Sequence, residues 1–582
     1  MNADTFLFDG AFGTYYAQLT NKFEPCELAN LDNRQTVFNI HKSYIDAGVN
    51  AIKTNTFGAN SGLGFDFETV ERIIEEGYNI ALDAVEGAKA QVFADIGPIP
   101  YKDKDQDISQ EYIKIADVFL DLGAQKFLFE TMPEFNVLKP VLKHIKKKSP
   151  TSYIIVSFAS SLDGYTKSGL YYKQLLDKAQ KDANVDAIGL NCLCGPAHII
   201  ELVENYQSKI VKPMSVMPNS GYPENVGNRL VYIDNAEYFA KKLLKLRKIG
   251  ITILGGCCGT TPLHIQKSRL ILSNFKGEKS HKYNNIAPKE EQKSDYKNIF
   301  YEKLANNLFP IAVELKAPVD TRIDYLINGA KNLLSAGADL ITIADSPLSR
   351  TRADSFIISS KIKREVKIDV LPHLTCRDKN IISIKAALLG LNIEGVQNVF
   401  VITGDPIIAT DRSSIKGVFD FNSIGLIKYI QSLNQNVFSN SPFLIGAALN
   451  TNAVNFDYEL KRAQQKMQAG AKFFLTQPIF GQEGIDRIKK AKDLLNAYIL
   501  AGIIPPYSYK NAVFLNNEVS GISIPQDLIL AMKEAQNQAE VSFEYAMDII
   551  KHLKPVCDGL YIINQSKKTE LVSKIVASAE LL

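Results

Sequence analysis

Three cysteines have the type and spacing to hold a metal. Cys192 closes the run Gly189-Leu190-Asn191-Cys192, and Cys257 and Cys258 are adjacent in Gly255-Gly256-Cys257-Cys258-Gly259-Thr260. Each follows an apolar run that reads as a strand. Three thiolates on one metal leave an open fourth position, the arrangement of a catalytic rather than a structural zinc. A thiol entering that position would become a nucleophile. Free cysteine is also a small core hydrophobe, so on residue type alone both readings stand, and Cys192-x-Cys194 offers a rival ligand pair. Adjacent cysteines in an extended strand point to opposite faces; Gly255-Gly256 can take an unusual φ and turn both sulfurs inward. Cys26, Cys376 and Cys557 read as structural.

The elements that must carry these residues repeat. Before residue 275, strand-like runs alternate with helical patterns: Phe6–Phe8, Ala51–Lys53, Gln91–Ala94, Lys126–Phe129, Tyr153–Phe158, Ala187–Leu190, Met214–Val216 and Ile251–Leu254. A polar stretch rich in Lys, Glu, Asn and Ser (276–298) reads as a linker. The pattern then returns at Ile311–Glu314, Leu340–Ile343, Ile368–Leu371, Val399–Ile402, Phe443–Ala447, Phe473–Thr476, Tyr498–Ile503 and Leu560–Ile563. Strands alternating with helices form parallel sheets, and eight repeats in each half predict two (β/α)8 TIM barrels, an α/β fold with domains at 1–275 and 299–582. Polar residues follow the strands in both halves, where barrel active sites lie. Among them are Asp9-Gly10, Thr54-Asn55-Thr56, Asp95, Glu130-Thr131 and Asn191-Cys192, then Glu314, Asp345, His373, Gly404-Asp405, Asn450 and Gln477.

Composition narrows the class. With 66 Lys and Arg against 63 Asp and Glu, the net charge of +3 points to no nucleic-acid partner. The N-terminus does not read as a signal peptide, and no apolar run approaches the ~18 residues of a membrane span. Seven cysteines suggest no disulfide framework, so a cytoplasmic location is expected. The sequence allows a homo-oligomer.

The first half, about residues 1–275, resembles the homocysteine S-methyltransferase family. The matching runs are Asp9-Gly10-Ala11-Phe12-Gly13-Thr14, Thr54-Asn55-Thr56-Phe57-Gly58-Ala59-Asn60, Glu130-Thr131-Met132 and the two cysteine runs. The resemblance implies Zn2+ on Cys192, Cys257 and Cys258, with Asp9, Gly10, Glu130 and Asn191 around the homocysteine amino acid moiety. Cys194 lies outside the family pattern. Metal coordination deprotonates a thiol that is otherwise neutral at pH 7, so zinc-bound homocysteine could attack a methyl donor to give methionine.

The second half, about residues 300–565, resembles methylenetetrahydrofolate reductase. The runs are Val313-Glu314-Leu315-Lys316-Ala317-Pro318, Pro372-His373-Leu374-Thr375-Cys376, Ile402-Thr403-Gly404-Asp405 and the stretch from Lys466 to Gln477. The resemblance implies FAD across the barrel mouth, with NAD(P)H as hydride donor and methylenetetrahydrofolate as substrate. In it Glu314 would be the general acid, Asp405 would tune flavin and folate, and Gln477 would hold the pterin. His373 and Lys466 would contact FAD, and Tyr509 would stack on folate or nicotinamide. Taken alone, Lys466 reads as a solvated helix lysine and Tyr509 as packing, whereas Glu314 and Gln477 interrupt apolar strands. Two departures stand out: Thr403 where many members have Arg, and Asn450–Phe456, which does not follow the commoner Tyr-Pro and His pattern. No histidine has Asp two residues before it, so no cobalamin motif is present. The expected whole is a bifunctional methyltransferase and reductase; the alternative is a methyltransferase with a non-catalytic folate- or flavin-binding second half. The methyl donor (S-methylmethionine, S-adenosylmethionine or 5-methyltetrahydrofolate) is left open.

Overall fold

The computed structural model describes residues 5–22, 24–100, 107–226, 229–232, 235–275, 297–407, 416–519 and 521–581. The chain divides into two compact units, Met1–Lys289 and Glu290–Leu582. Most of the stretch expected as a linker (276–296 of 276–298) lies outside the described residues.

In the first unit the barrel strands, counted one to eight, are Phe6–Leu7, Ala51–Lys53, Gln91–Ile96, Lys126–Met132, Tyr153–Phe158, Ala187–Asn191, Met214–Met217 and Ile253–Leu254. All pair in parallel, in the order one, eight, seven, six, five, four, three, two. A single bridge, Phe8 to Ala51, closes the ring between strands one and two. An antiparallel hairpin of Glu224–Val226 and Arg229–Val231, not foreseen in the sequence, lies between strands seven and eight.

The second unit is a closed barrel of Ile311–Leu315, Leu340–Ile343, Asp369–Thr375, Asn398–Ile402, Leu444–Leu449, Phe473–Pro478, Tyr498–Ile503 and Gly559–Ile563. Strand one here pairs four residues with each neighbour.

The strands are apolar runs because helices cover one face and the barrel interior the other. One interior layer of the first barrel contains Phe8, Phe93, Leu128, Ile155 and Met217. Phe8 and Phe93 cross edge-on with centroids 4.7 Å apart, so this interior is a packed core and no channel. In the second unit a short helix, Ile299–Ala305, sets Phe300 against Phe473 at the start of strand six, with centroids 5.3 Å apart. Helices Asp324–Ser335 and Phe456–Ala469 stop at Gly337 (φ 103°) and Gly470 (φ 131°), positive-φ positions at which glycine ends a helix without steric cost. Among the described residues no helix is long and apolar enough to cross a membrane.

Candidate functional site

Strand six of the first barrel ends at Asn191, and the chain turns at once. Cys192 (φ 56°) and Leu193 (φ 55°) both occupy the left-handed region, which costs a residue with a Cβ roughly 1–2 kcal/mol. The turn is held by the Cys192 N–H on the Met217 carbonyl (3.1 Å) and the Cys194 N–H on the Cys192 carbonyl (2.6 Å). It brings Cys192 Sγ to 3.6 Å from Cys258 Sγ. The sulfurs of Cys192, Cys257 and Cys258 all lie within 4.8 Å of one another. Three thiolates at ~2.3 Å from one zinc stand roughly 3.8 Å apart, so the cluster has the dimensions of such a site. Cys194 is turned away: its thiol donates to the Ser160 carbonyl at 3.2 Å.

Gly255 and Gly256 do not take the unusual φ expected of them; neither is positive. Strand eight stops at Leu254, and Cys257 to Thr260 form a turn in which the Thr260 N–H (3.0 Å) and Oγ1 (2.6 Å) both reach the Cys257 carbonyl. A turn, unlike an extended strand, can present both sulfurs to one side. The glycines serve close packing instead. A Cβ on Gly255 would lie 2.8 Å from Phe8 Cβ, and one on Gly256 would lie 2.4 Å from Thr260 Oγ1.

Hydrogen bonds from Cys257 and Cys258 hold Cys192 far below the ordinary thiol range. Bonding to Cys192 pushes Cys257 up to about 12 and raises Cys258 as well. Tyr232, after the hairpin, has its hydroxyl raised by burial and by the nearby sulfurs, Cys258 first among them.

Beside the sulfurs lies a buried charged pocket. Asp9 is 2% exposed; its Oδ2 accepts the Lys53 N–H at 2.9 Å, and its Oδ1 has no partner. Burial pushes Asp9 up to about 7 against the pull of Lys53. Lys53 Nζ stands 3.4 Å from Glu130 Oε2. Burial raises Glu130 too, although Lys53 opposes it. Gly10 admits no side chain, since a Cβ there would fall 2.5 Å from Thr260 Oγ1. Asn191 ties pocket to sulfurs. Its Oδ1 accepts the Thr131 N–H (2.9 Å) and the Ser157 hydroxyl (2.8 Å), and its Nδ2 donates to Thr131 Oγ1 (2.8 Å) and reaches 4.0 Å from Cys257 Sγ. The Thr54-Asn55-Thr56 run is scaffold: Thr54 Oγ1 accepts the Asp95 N–H, and Thr56 Oγ1 donates to the Asp95 carbonyl. Lys53 and Asn219, the latter with a buried Oδ1 lacking a partner, were not singled out in the sequence. The available signals were a lysine ending an apolar strand and a polar residue just beyond strand seven.

In the second barrel Glu314 (strand one), His373 (strand three), Asp405 (after strand four) and Gln477 (strand six) stand at C-terminal strand ends. Glu314 accepts a hydrogen bond from the Tyr561 hydroxyl on strand eight. Burial raises its pKa, and the Tyr561 bond opposes that. His373 is buried, its Nε2 has no partner, and burial drops it to about 3, so the ring is neutral. Asp405 Oδ2 accepts the Leu348 N–H at 2.6 Å. Gln477 is exposed. Lys466 is not the solvated lysine its helix suggested. It is 5% exposed, donates to the Ala448 carbonyl at 2.7 Å and pairs with Glu459 at 3.5 Å. Tyr509 packs against a satellite core that includes Ile504 and Leu515, while Tyr507 beside it is exposed. A guanidinium does occur near Asp405 although position 403 is Thr: Arg377, 2% exposed, pairs with Asp378 and feels Asp345 and Asp405.

Two family models match the chain side by side, Homocysteine S-methyltransferase over residues 6–272 and Methylenetetrahydrofolate reductase over residues 300–577. Methionine synthase of Mycobacterium tuberculosis (strain ATCC 25618 / H37Rv) is 32% identical over 293 residues, which are 46% of this chain and 24% of that protein. Homocysteine S-methyltransferase 1 of Arabidopsis thaliana is 24% identical over 269 residues, 40% of this chain and 81% of that protein. The chain spans about a quarter of the length of the methionine synthases it matches. Among solved structures, the oxidised form of homocysteine methyltransferase MmuM from Escherichia coli is 20% identical, with 46% of this chain and 96% of that chain covered and a TM-score of 0.40.

Proposed function

We infer that a chain made of a homocysteine S-methyltransferase domain followed by a methylenetetrahydrofolate reductase domain carries two linked one-carbon reactions. The first unit transfers a methyl group to homocysteine, giving methionine. The second reduces 5,10-methylenetetrahydrofolate to 5-methyltetrahydrofolate with NAD(P)H. The observation that carries the reading is the convergence of Cys192, Cys257 and Cys258 within 4.8 Å beside a buried acidic pocket.

In the first unit those three sulfurs would hold zinc, as their spacing fits. Zinc bound there would supply a Lewis acid that lowers the substrate thiol's pKa. Asp9 and Glu130 would receive the substrate ammonium; Asp9 Oδ1, buried and without a partner, is the acceptor still to be filled. Asn191 would keep the pocket and Cys257 in register through its bonds to Thr131 and Ser157.

In the second unit FAD, when bound, would carry the hydride from NAD(P)H to the folate. His373 supports that fit, since its buried Nε2 lacks a partner at the strand ends. Glu314, raised by burial, would hold the proton needed to open the folate ring. Gln477 would bind the pterin and Asp405 would sit by the flavin. The internal bonds of Lys466 favour the rival, a second unit that binds folate or flavin without turnover. The seven cysteines, none in a disulfide, suit a cytoplasmic location.

The test is methionine formation from homocysteine with S-methylmethionine, S-adenosylmethionine and 5-methyltetrahydrofolate offered separately, beside Cys258→Ala. One donor should be active, and Cys258→Ala should lose both zinc and turnover; full turnover by the variant rejects the zinc reading. For the second unit, yellow protein bleached by NAD(P)H and reoxidised by methylenetetrahydrofolate supports the reductase, and protein unable to bind FAD rejects it.

A further inference from the structure

A lysine side chain only 7% exposed at the end of a barrel strand is costly unless its charge is met. Lys53 ends strand two. The charged groups that face it come from neighbouring elements: Glu130 from strand four, Asp9 after strand one, Asp95 from strand three and Cys257 after strand eight. Its Nζ is 3.4 Å from Glu130 Oε2, and its N–H donates to Asp9 Oδ2 at 2.9 Å. Glu130 also takes a hydrogen bond from Asp95, whose carboxyl is raised well above its ordinary range by burial and by Glu130. Two carboxyl groups, on Asp9 and Glu130, thus face one ammonium, and Asp9 Oδ1 and Asp95 Oδ1 are both buried without partners.

We propose that Lys53 is a positioning residue of the amino-acid subsite: its ammonium holds the Glu130 carboxylate in place, so that Glu130 and the free Asp9 Oδ1 receive a second cation, the ammonium of the amino-acid substrate. The proposal rests on the homocysteine reading of the first unit. The sign of its effect separates it from a simpler role. As a bare positive charge, Lys53 repels the substrate ammonium, and removing it would tighten binding. As the clamp on Glu130, it fixes the position of that carboxylate beside Asp9, and removing it loosens binding.

The experiment is calorimetric binding of homocysteine and of 4-mercaptobutanoate, which lacks the amine, to the zinc-loaded full chain. The proteins are wild type, Lys53→Met, Glu130→Gln and the double variant, with zinc content measured in each. Lys53→Met should weaken homocysteine about tenfold, as truncating one partner of a desolvated charge pair does, and leave 4-mercaptobutanoate within about twofold. In the Glu130→Gln background the same substitution should add less than about twofold, since residues acting through one another are not additive. If Lys53→Met fails to fold or to hold zinc, Lys53→Arg carries the test, and retained homocysteine affinity supports the clamp. Tighter or unchanged homocysteine binding in Lys53→Met, equal losses for both thiols, or full additivity in the double variant overturns the proposal. Wild-type protein that binds 4-mercaptobutanoate as tightly as homocysteine overturns the homocysteine reading itself, and with it the proposal.

Discussion

Replacing Asn191 with alanine removes one buried side chain and strands three groups. The Thr131 N–H and the Ser157 hydroxyl lose their acceptor, and Thr131 Oγ1 loses its donor. A buried donor left without an acceptor costs roughly 1–3 kcal/mol. The two hydroxyls can rotate toward other partners; the Thr131 N–H cannot, because it belongs to a backbone held at φ 63°. Counting the amide in full and the hydroxyls in part gives about 3 kcal/mol. With a urea m-value of about 3 kcal/mol/M, the unfolding midpoint of the first unit should fall by about 1 M. The chain has no tryptophan and two units, so the transition is best followed by pulse proteolysis in urea, with first-unit fragments identified by mass. A second reading comes from the metal. Asn191 Nδ2 lies 4.0 Å from Cys257 Sγ, and loss of such a supporting contact typically lowers metal affinity about 10–100-fold. Zinc competition with a chelator measures that directly. A midpoint within about 0.2 M of wild type, together with unchanged zinc affinity, would refute the claim that Asn191 ties the pocket to the sulfurs.

Three further outcomes are expected. Asp9 keeps its proton to about pH 7 in the native state, whereas the unfolded chain loses it near 4, so stability falls as pH rises between those values; Asp9→Asn should remove that fall and be more stable than wild type at pH 8 by up to about 4 kcal/mol. Urea unfolding of the zinc-free protein at pH 4, 6 and 8 checks this, and parallel curves would contradict it. Glu314→Gln, without the buried proton donor, should lower methylenetetrahydrofolate reduction about 10²–10⁴-fold while NAD(P)H still bleaches the flavin; equal loss of both half-reactions would point to a folding defect. Lys466→Met should destabilise the flavin-free second unit by about 2 kcal/mol, because it removes a buried charged donor from Glu459 and leaves that carboxylate with Arg462 and the Asn450 N–H only, and unchanged stability would return Lys466 to a ligand-binding role.

The barrels were legible because their strands are buried on both faces and read as apolar runs, and because glycines such as Gly337 and Gly470 stop helices where backbone geometry requires it. The hairpin at 224–231 was missed: its strands are only three residues long. The helix at 299–305 was not singled out at the start of the second domain, although its Phe300 reaches the barrel core. At the sulfurs, the sequence supplied the residues but not the device. Both cysteines were expected in a strand relieved by the φ of Gly255 and Gly256, whereas the strand ends early and the left-handed backbone lies at Cys192, Leu193 and Gly259. The role of Lys53 was hidden because its carboxylate partner Glu130 lies on another strand, 77 positions away. Lys466 pairs with Glu459 on its own helix, but its burial and its bond to the Ala448 carbonyl come from the packing of that helix on the barrel, and periodicity carries no such information.

The two barrels close differently, and this bears on the first one's motions. In the second unit strand one is laddered over four residues on each side. In the first, strand one has two residues and meets strand two through the Phe8–Ala51 bridge, with the Asn50 N–H on the Leu7 carbonyl and the Asp9 N–H on the Ala51 carbonyl. Asp9 and Lys53 therefore flank the thinnest seam of the ring. Such a seam is where breathing should begin, with the Asp9 and Asn50 amides exchanging with solvent deuterium sooner than those of strands four and five. A ligand bound across that seam staples it shut and stabilises the ring by mass action, so slowed exchange at these two amides would report occupancy of the pocket before any methyl group has moved.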